Sequence, residues 1–286
     1  MKPPIKLYYW SPLRSPNDLQ WLVRSEWRAW RQMSRHGSHA IRNFGDELST
    51  RVVEVATGRG TRWAAPKRAE VFAIGSILEH HHAGHSPSVI WGSGLRYNSR
   101  PVGHAPTLLA VRGALTREVY GESADLPLGD PGLLARALYK SRSPRSKVIL
   151  LPHFSAFGTV SGRQSIQAGA AKGMHVLPPT LAVDDVCQAI ADARLVITSS
   201  LHGLIVGHAT RTPTILCTFG HTQEPDFKYF DYMSPYRRSP TLVPFSHLLE
   251  HGVRNWEEAA AEEVEAVSDE IDDLIEGLLA AAGPLR

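Results

Sequence analysis

Leu195-Val-Ile-Thr-Ser-Ser-Leu-His-Gly-Leu-Ile-Val-Gly-His208 is the stretch that decides the fold of this chain. An apolar run, Leu195 to Ile197, ends in three small hydroxyl residues; a histidine, a glycine and an apolar helical pattern follow. The pattern predicts a buried strand, a tight turn and a helix start. Such a turn puts Ser199, Ser200 and His202 at the carboxyl edge of a sheet, where ligands of open α/β sheets bind. The N–H groups of a helix start suit an anion. A titratable ring beside them points to acid–base work on a phosphorylated or carboxylated ligand.

The same grammar recurs on both sides of this stretch. Ile5–Trp10, Val71–Ile77, Ser88–Gly92 and Leu108–Val111 read as strands, and most end in small residues. Asn43–Val55 reads as a loop leading into an amphipathic helix. Ser141-Arg-Ser-Pro-Arg-Ser-Lys147 has no apolar residue and reads as a linker. A second series follows: strands at Val148–Leu151, Met174–Leu177, Leu195–Ile197 and Thr214–Cys217, and a helix at Val183–Ala193. The chain from Trp256 onward is rich in Ala, Glu and Leu at helical spacing and reads as acidic surface helices. The expected fold class is α/β, with two Rossmann-like domains, 1–143 and 144–286, facing each other across a cleft. Trp21, Trp27 and Trp30 sit among arginines in Ser11–Arg42. They suit either a membrane-surface or partner helix, or an amphipathic helix packed on the first domain; the second reading is preferred because Trp is usually buried.

Composition excludes several classes. The 286 residues are 43% hydrophobic and 21% charged, as in soluble globular proteins. A formal charge of +3 gives no support for a nucleic-acid partner. Cys187 and Cys217, without CxxC spacing, read as buried free thiols in a reducing compartment. No apolar run approaches the ~18 residues of a membrane span, and the amino terminus lacks a signal-peptide core. The expected location is the cytoplasm. His80-His-His82 with His85 lacks carboxylate partners at ligand spacing, so no metal site is expected and the cluster reads as solvated surface.

Four motifs in order carry a resemblance: Asn43-Phe-Gly-Asp-Glu-Leu-Ser49, Val111-Arg-Gly-Ala-Leu-Thr-Arg117, Leu128-Gly-Asp-Pro-Gly-Leu-Leu134 and Ser199-Ser-Leu-His-Gly-Leu-Ile205. With Lys228-Tyr-Phe-Asp-Tyr232 they resemble the polysaccharide pyruvyl transferase family, in its Ser-Ser-Leu-His-Gly branch. The resemblance implies a GT-B-like fold. It implies transfer of a pyruvyl group from phosphoenolpyruvate onto sugar hydroxyls of a polysaccharide or lipid-linked glycan, giving a cyclic ketal and phosphate. Phosphoenolpyruvate would be a substrate; no cofactor is expected. Peripheral association with a membrane glycan-assembly system fits such an acceptor. Two other readings stay open: a GT-B-type glycosyltransferase using a nucleotide sugar, and a non-catalytic glycan-binding relative. Arg112, Lys228 and His202 on separate surfaces would favour the last.

The chemistry sets demands on residues. The donor's carboxylate and phosphate need cations or N–H donors, and its enol carbon must gain a proton. His202 is the expected general acid, or a donor holding the phosphate; otherwise it is a helix-start histidine bonded to a carbonyl. Asp46 is an expected base for an acceptor hydroxyl, unless it only caps its helix. His153, at a strand end, is an expected second acid or base or a sugar contact, unless it is merely packed. Ser199, Ser200, Leu201 and Gly203 form the expected donor turn. Asn43, Gly45, Gly92 and Ser93 complete the expected substrate contacts, the last two through close backbone approach. Many family members look like Arg-Leu-His at this turn, where this chain has Ser200-Leu-His202. Serine supplies no charge, so another cation should compensate: Arg112, unless it forms a domain salt bridge, or Lys228. Asp130-Pro131 reads as a rigid structural turn.

Overall fold

The structure, a computed structural model, describes residues 2–11, 26–37, 42–80, 88–101, 106–220 and 224–286, with only the backbone of 26–28. The first half runs β1 (Ile5–Tyr8), α1 (Glu26–Ser34), α2 (Phe44–Thr57), β2 (Thr61–Trp63), β3 (Val71–Phe72), β4 (Val89–Trp91), β5 (Thr107–Ala110), α3 (Ala114–Tyr120) and α4 (Ala135–Leu138). The second half runs β6 (Val148–Leu151), α5 (Phe154–Gly158), α6 (Val160–Ala171), β7 (His175–Val176), α7 (Val183–Ala191), β8 (Leu195–Thr198), α8 (Leu201–Ala209), β9 (Thr214–Thr218), α9 (Phe227–Met233), β10 (Val243–Pro244), α10 (Phe245–His251), α11 (Val253–Ala266) and α12 (Ser268–Ala281).

This is a mixed α/β chain with two five-stranded sheets, ordered β2-β1-β3-β4-β5 and β10-β9-β8-β6-β7. All their pairings are parallel. Parallel strands need crossover connections, and the helices that make them cover both faces. That is why β8 is buried along its whole length, with three apolar residues in succession rather than an alternation. Each sheet reverses its winding once, between β1 and β3 in the first and between β6 and β8 in the second. The segments leaving those four strands at their carboxyl ends therefore border two crevices.

Several expectations are corrected. β2 and β10 stand as edge strands that the pattern did not predict. Trp30 is buried, but with Ala156 and Phe157 of the second half, not on the first; the packing partner of an amphipathic helix is not written in its own periodicity. Trp21, and the side chain of Trp27, lie outside the described residues. The terminal helices are more than surface: α12 buries Ile271 and Leu278, and the Leu278 carbonyl accepts from Trp91 Nε1 of β4 at 2.9 Å. A single apolar cluster thus joins β4, α2, α7, α8 and α12 across both halves. Residues 141–147 contain no helix or strand. Cys187 and Cys217 are free and buried. Among the described residues, no helix is long and apolar enough to cross a membrane.

Candidate active site

Chain segments from the two crevices meet in one cleft of about 460 Å³. Trp10 follows β1, Ser76 follows β3, His153 follows β6, and Ser200, Leu201 and His202 follow β8; all line it. Asn43 and Asp46 enter from the start of α2, Arg96 from the loop after β4, and Glu224 and Lys228 from the segment around α9. A larger cavity of about 970 Å³ lies against residues 141–147 and the amino ends of β6 and β7, around Lys147 and His175. It contains none of the motif residues and sits at the wrong edge of the sheet for ligand binding. The smaller cleft is the candidate.

His202 sits in the first turn of α8, one of the most buried helices of the chain. Ser200 caps that helix, its Oγ accepting from Gly203 N at 3.4 Å. Thr198 holds the turn, accepting from Ser200 N at 2.9 Å and donating to the Leu151 carbonyl at 2.7 Å. The Ser199 hydroxyl accepts from His153 N at 2.8 Å, so it ties β8 to β6 and does not line the cleft. Gly45 of α2 lies flat against the imidazole: a Cβ there would overlap His202 Nδ1. Glycine at position 45 thus lets the two halves close around His202. Its Nε2 is shielded from solvent and has no hydrogen-bond partner among the described residues. Leaving a polar atom so costs about 1–3 kcal/mol, which a ligand could recover.

Asp46 lies in the first turn of α2, while Asn43 is the N-cap residue. The Asn43 amide donates to the Asp46 carboxyl. Gly75, held at φ +107°, passes so close that any side chain would strike Asp46 Oδ1. Burial raises the Asp46 carboxyl to about 8; Lys228 opposes this and Asp130 adds to it. Burial lowers His202 to about 3, helped by the positive charges of Lys228 and Arg112. At neutral pH these shifts favour the proton on the Asp46 carboxyl and leave the His202 ring neutral. His153 is also held neutral, lowered to about 3 by burial and by Lys228; its Nδ1 pairs with Ser155 Oγ at 2.8 Å.

Arg112 does not reach the cleft. It is fully buried behind Ser76, whose Oγ accepts from its Nη1 at 2.6 Å. Its Nη2 donates to the Leu95 carbonyl at 2.6 Å, and its Nε to Asp231 Oδ2 at 2.9 Å. Thr116 gives Asp231 two more bonds, from N at 2.7 Å and Oγ1 at 2.8 Å. Gly94 and Gly113 leave the room this clasp needs, since a Cβ at either would overlap Arg112 or the Asp231 backbone. Two motifs more than a hundred residues apart in sequence are therefore one buried ion pair joining the halves. Ser93 is buried too, its hydroxyl donating to the Ala73 carbonyl at 2.8 Å. Gly92 packs on Pro131, and Asp130 caps the turn after it by accepting from Gly132 N at 2.8 Å. Gly92 and Ser93 thus brace the cleft wall instead of lining it.

The sequence of residues 7–221 matches the family model described as polysaccharide pyruvyl transferase. The chain belongs to the polysaccharide pyruvyl transferase family. No curated protein and no solved structure matches it. In this pyruvyl transferase family member, Lys228 and His202 share one cleft instead of standing on separate surfaces. Lys228 is buried, its Nζ donating to Glu224 Oε2 at 2.8 Å, and burial lowers its pKa despite that partner. Sequence reasoning missed Arg96, Glu224, Glu79 and Trp10 in the cleft wall; Arg96, two residues past Gly92-Ser-Gly94, had a signal in that loop. His80 lines the cleft and meets Tyr8 edge-on at 5.6 Å, so it is not solvated surface; His81, His82 and His85 lie outside the described residues. Among the described residues, no three His, Cys, Asp or Glu side chains are grouped to hold a metal ion.

Proposed function

We propose that this chain transfers the pyruvyl group of phosphoenolpyruvate to two hydroxyls of a sugar, on a polysaccharide or lipid-linked glycan precursor, forming a cyclic ketal and releasing phosphate. The observation that supports it best is one cleft in which a protonated carboxyl, Asp46, and a neutral imidazole, His202, face the same space beside Lys228. Asp46 gives its proton to the methylene carbon of the donor, which becomes the methyl group. The adjacent carbon gains positive character, and a sugar hydroxyl adds to it. His202 takes the proton of that hydroxyl. The carbon–oxygen bond to phosphate then breaks, the second hydroxyl closes the ring, and its proton leaves with phosphate. A positioned general acid or base contributes about 10²–10⁴ in rate, most when its pKa lies near the working pH.

Lys228 gives the donor a charged contact, and the α8 turn of Ser200, Leu201 and Gly203 frames it. Arg112 acts from behind, through Ser76. Asn43 and Gly45 position Asp46 and His202, and His153 holds the sugar at the rim. In this reading the two sheets are the Rossmann-like halves of a GT-B-like arrangement, divided near 143/144, with the acceptor on the first half and the donor on the second. The reaction needs neither cofactor nor metal. Its place is the cytoplasm, at the periphery of a membrane glycan-assembly system. The test mixes the purified protein with phosphoenolpyruvate and β-hexosides, following phosphate release and the ketal methyl signal by NMR. Coupled appearance of both supports the reading; phosphate without ketal, or no turnover on any hexoside, overturns it.

A further inference from the structure

The turn at Ser200 carries no cation, and Arg112 is committed to Asp231, so the charge that meets an anionic donor must come from elsewhere. Among the described residues, two cations line the cleft: Lys228 and Arg96. They come from different halves, and one carboxylate bridges them. Glu224 Oε2 accepts from Lys228 Nζ at 2.8 Å, while Glu224 Oε1 accepts from Arg96 Nη2 at 3.0 Å. Both oxygens of a mostly buried carboxylate are thus held by two cations inside the candidate site.

The position of Arg96 is fixed by its backbone neighbours. Leu95 N donates to Thr116 Oγ1 at 3.1 Å, the Leu95 carbonyl accepts from Arg112, and Gly94 N donates to the Gly75 carbonyl at 3.2 Å. The side chain is 36% exposed, its guanidinium lies over the Tyr97 ring at 5.5 Å, and Glu79 is 4.0 Å from Nη1. That last distance is an ion pair without a hydrogen bond. Arg96 therefore has a rigid base, a mobile-length side chain and donors that a planar carboxylate or a phosphate can share in fork geometry.

Resting on the pyruvyl-transfer reading, we infer that Arg96 and Lys228 form the seat of the donor's anionic group, and that Glu224 is its built-in surrogate, holding both cations until the ligand's anion replaces it. The surrogate neutralises two cations that would otherwise repel each other in a partly buried cleft. It also sets a threshold: a neutral molecule cannot displace it, and a weak anion competes poorly. Selectivity for a strongly anionic donor follows from that competition.

The test is calorimetric titration of the full chain with phosphoenolpyruvate and, separately, with inorganic phosphate. Arg96→Gln should weaken phosphoenolpyruvate about ten- to hundredfold, the range of a charge-assisted hydrogen bond, and Arg96→Lys should recover part of it. Glu224→Gln, which keeps the shape and removes the competing charge, should tighten binding at least about fivefold. Arg96→Gln within twofold of wild type, or Glu224→Gln at or below wild-type affinity, overturns the inference. If Arg96→Gln no longer melts cooperatively, Glu224→Gln decides alone. The phosphate titration separates the two readings. If phosphoenolpyruvate fails to bind every form while phosphate shows the expected order, the pyruvyl reading falls and the anion seat stands. If neither binds wild type, both fall.

Discussion

Replacing Asp231 by asparagine should unfold the chain at a markedly lower temperature. Asp231 and Arg112 are both fully buried and bonded at 2.9 Å. Asp231→Asn keeps the volume but removes the counter-charge of Arg112 and turns one of the two acceptor oxygens into an NH2 group that faces the donors of Arg112 or Thr116. Stranding one member of a buried pair costs about 3–5 kcal/mol. An unfolding entropy of about 2.1 cal/mol/K per residue gives about 0.6 kcal/mol/K for a chain of 286 residues. The expected fall in Tm is therefore about 5–8 °C, read by scanning calorimetry. The double replacement Arg112→Met/Asp231→Leu removes both charges and should regain most of that loss, because an apolar pair of similar volume needs no counter-charge. A fall of less than about 2 °C in Asp231→Asn would refute the argument. So would a double variant no more stable than the single one, since the penalty would then not come from an unpaired charge.

The remaining expectations concern the cleft. Gly45→Ala drives a methyl into the His202 ring; overpacking of this kind costs about 1–3 kcal/mol, and ångström-scale displacement of a catalytic group about 10²-fold in rate. Ketal formation at normal speed by a well-folded Gly45→Ala would show that His202 is not held by this contact. Asp46, raised to about 8 by burial, compares with about 3.9 in an unfolded chain. Its contribution to stability is full below about pH 4 and is lost as pH rises to about 8, at up to about 1.4 kcal/mol per pH unit. Asp46→Asn should abolish turnover yet gain stability over wild type between pH 6 and 8.5 in urea melts; parallel curves would contradict the burial argument. His202, lowered to about 3 by burial, works in the opposite sense: its contribution is full above about pH 6.5 and is lost as pH falls toward 3. Chemical-shift titration of its ring should therefore show no protonation at pH 5, and an ordinary midpoint near 6.5 would exclude the neutral base. Ser200→Ala removes the cap on Gly203 N, and at 3.4 Å this weak bond should cost about 0.5–1 kcal/mol in chemical denaturation.

Much of the fold is legible in the chain because burial on two faces leaves a mark on composition. β6, β8 and β9 hold apolar runs bounded by small or turn residues, which mark them as buried strands in the sequence. β2 and β10 leave no such mark, since Thr61-Arg-Trp63 and Val243-Pro244 are short edge pieces whose strand character comes from a neighbour's hydrogen bonds. The cleft was legible where a residue's place follows from its own strand end, as for His153 and His202. It was illegible where the partner decides. Arg112 looked like an anion ligand because it follows a strand, yet Asp231 claims it. Arg96 and Glu224 carry no local pattern that could announce a bond across 128 residues.

The sequence by itself determined the parallel α/β class, the strand–turn–helix at Leu195–His208 and membership of the family, because these depend on short-range periodicity and ordered local motifs. Only the tertiary structure decided which charges are free and which groups hold protons. Desolvation and Coulomb interactions are set by what surrounds a side chain in space. Burial favours a proton on Asp46 over one on His202, and the fold places Glu224 between Lys228 and Arg96.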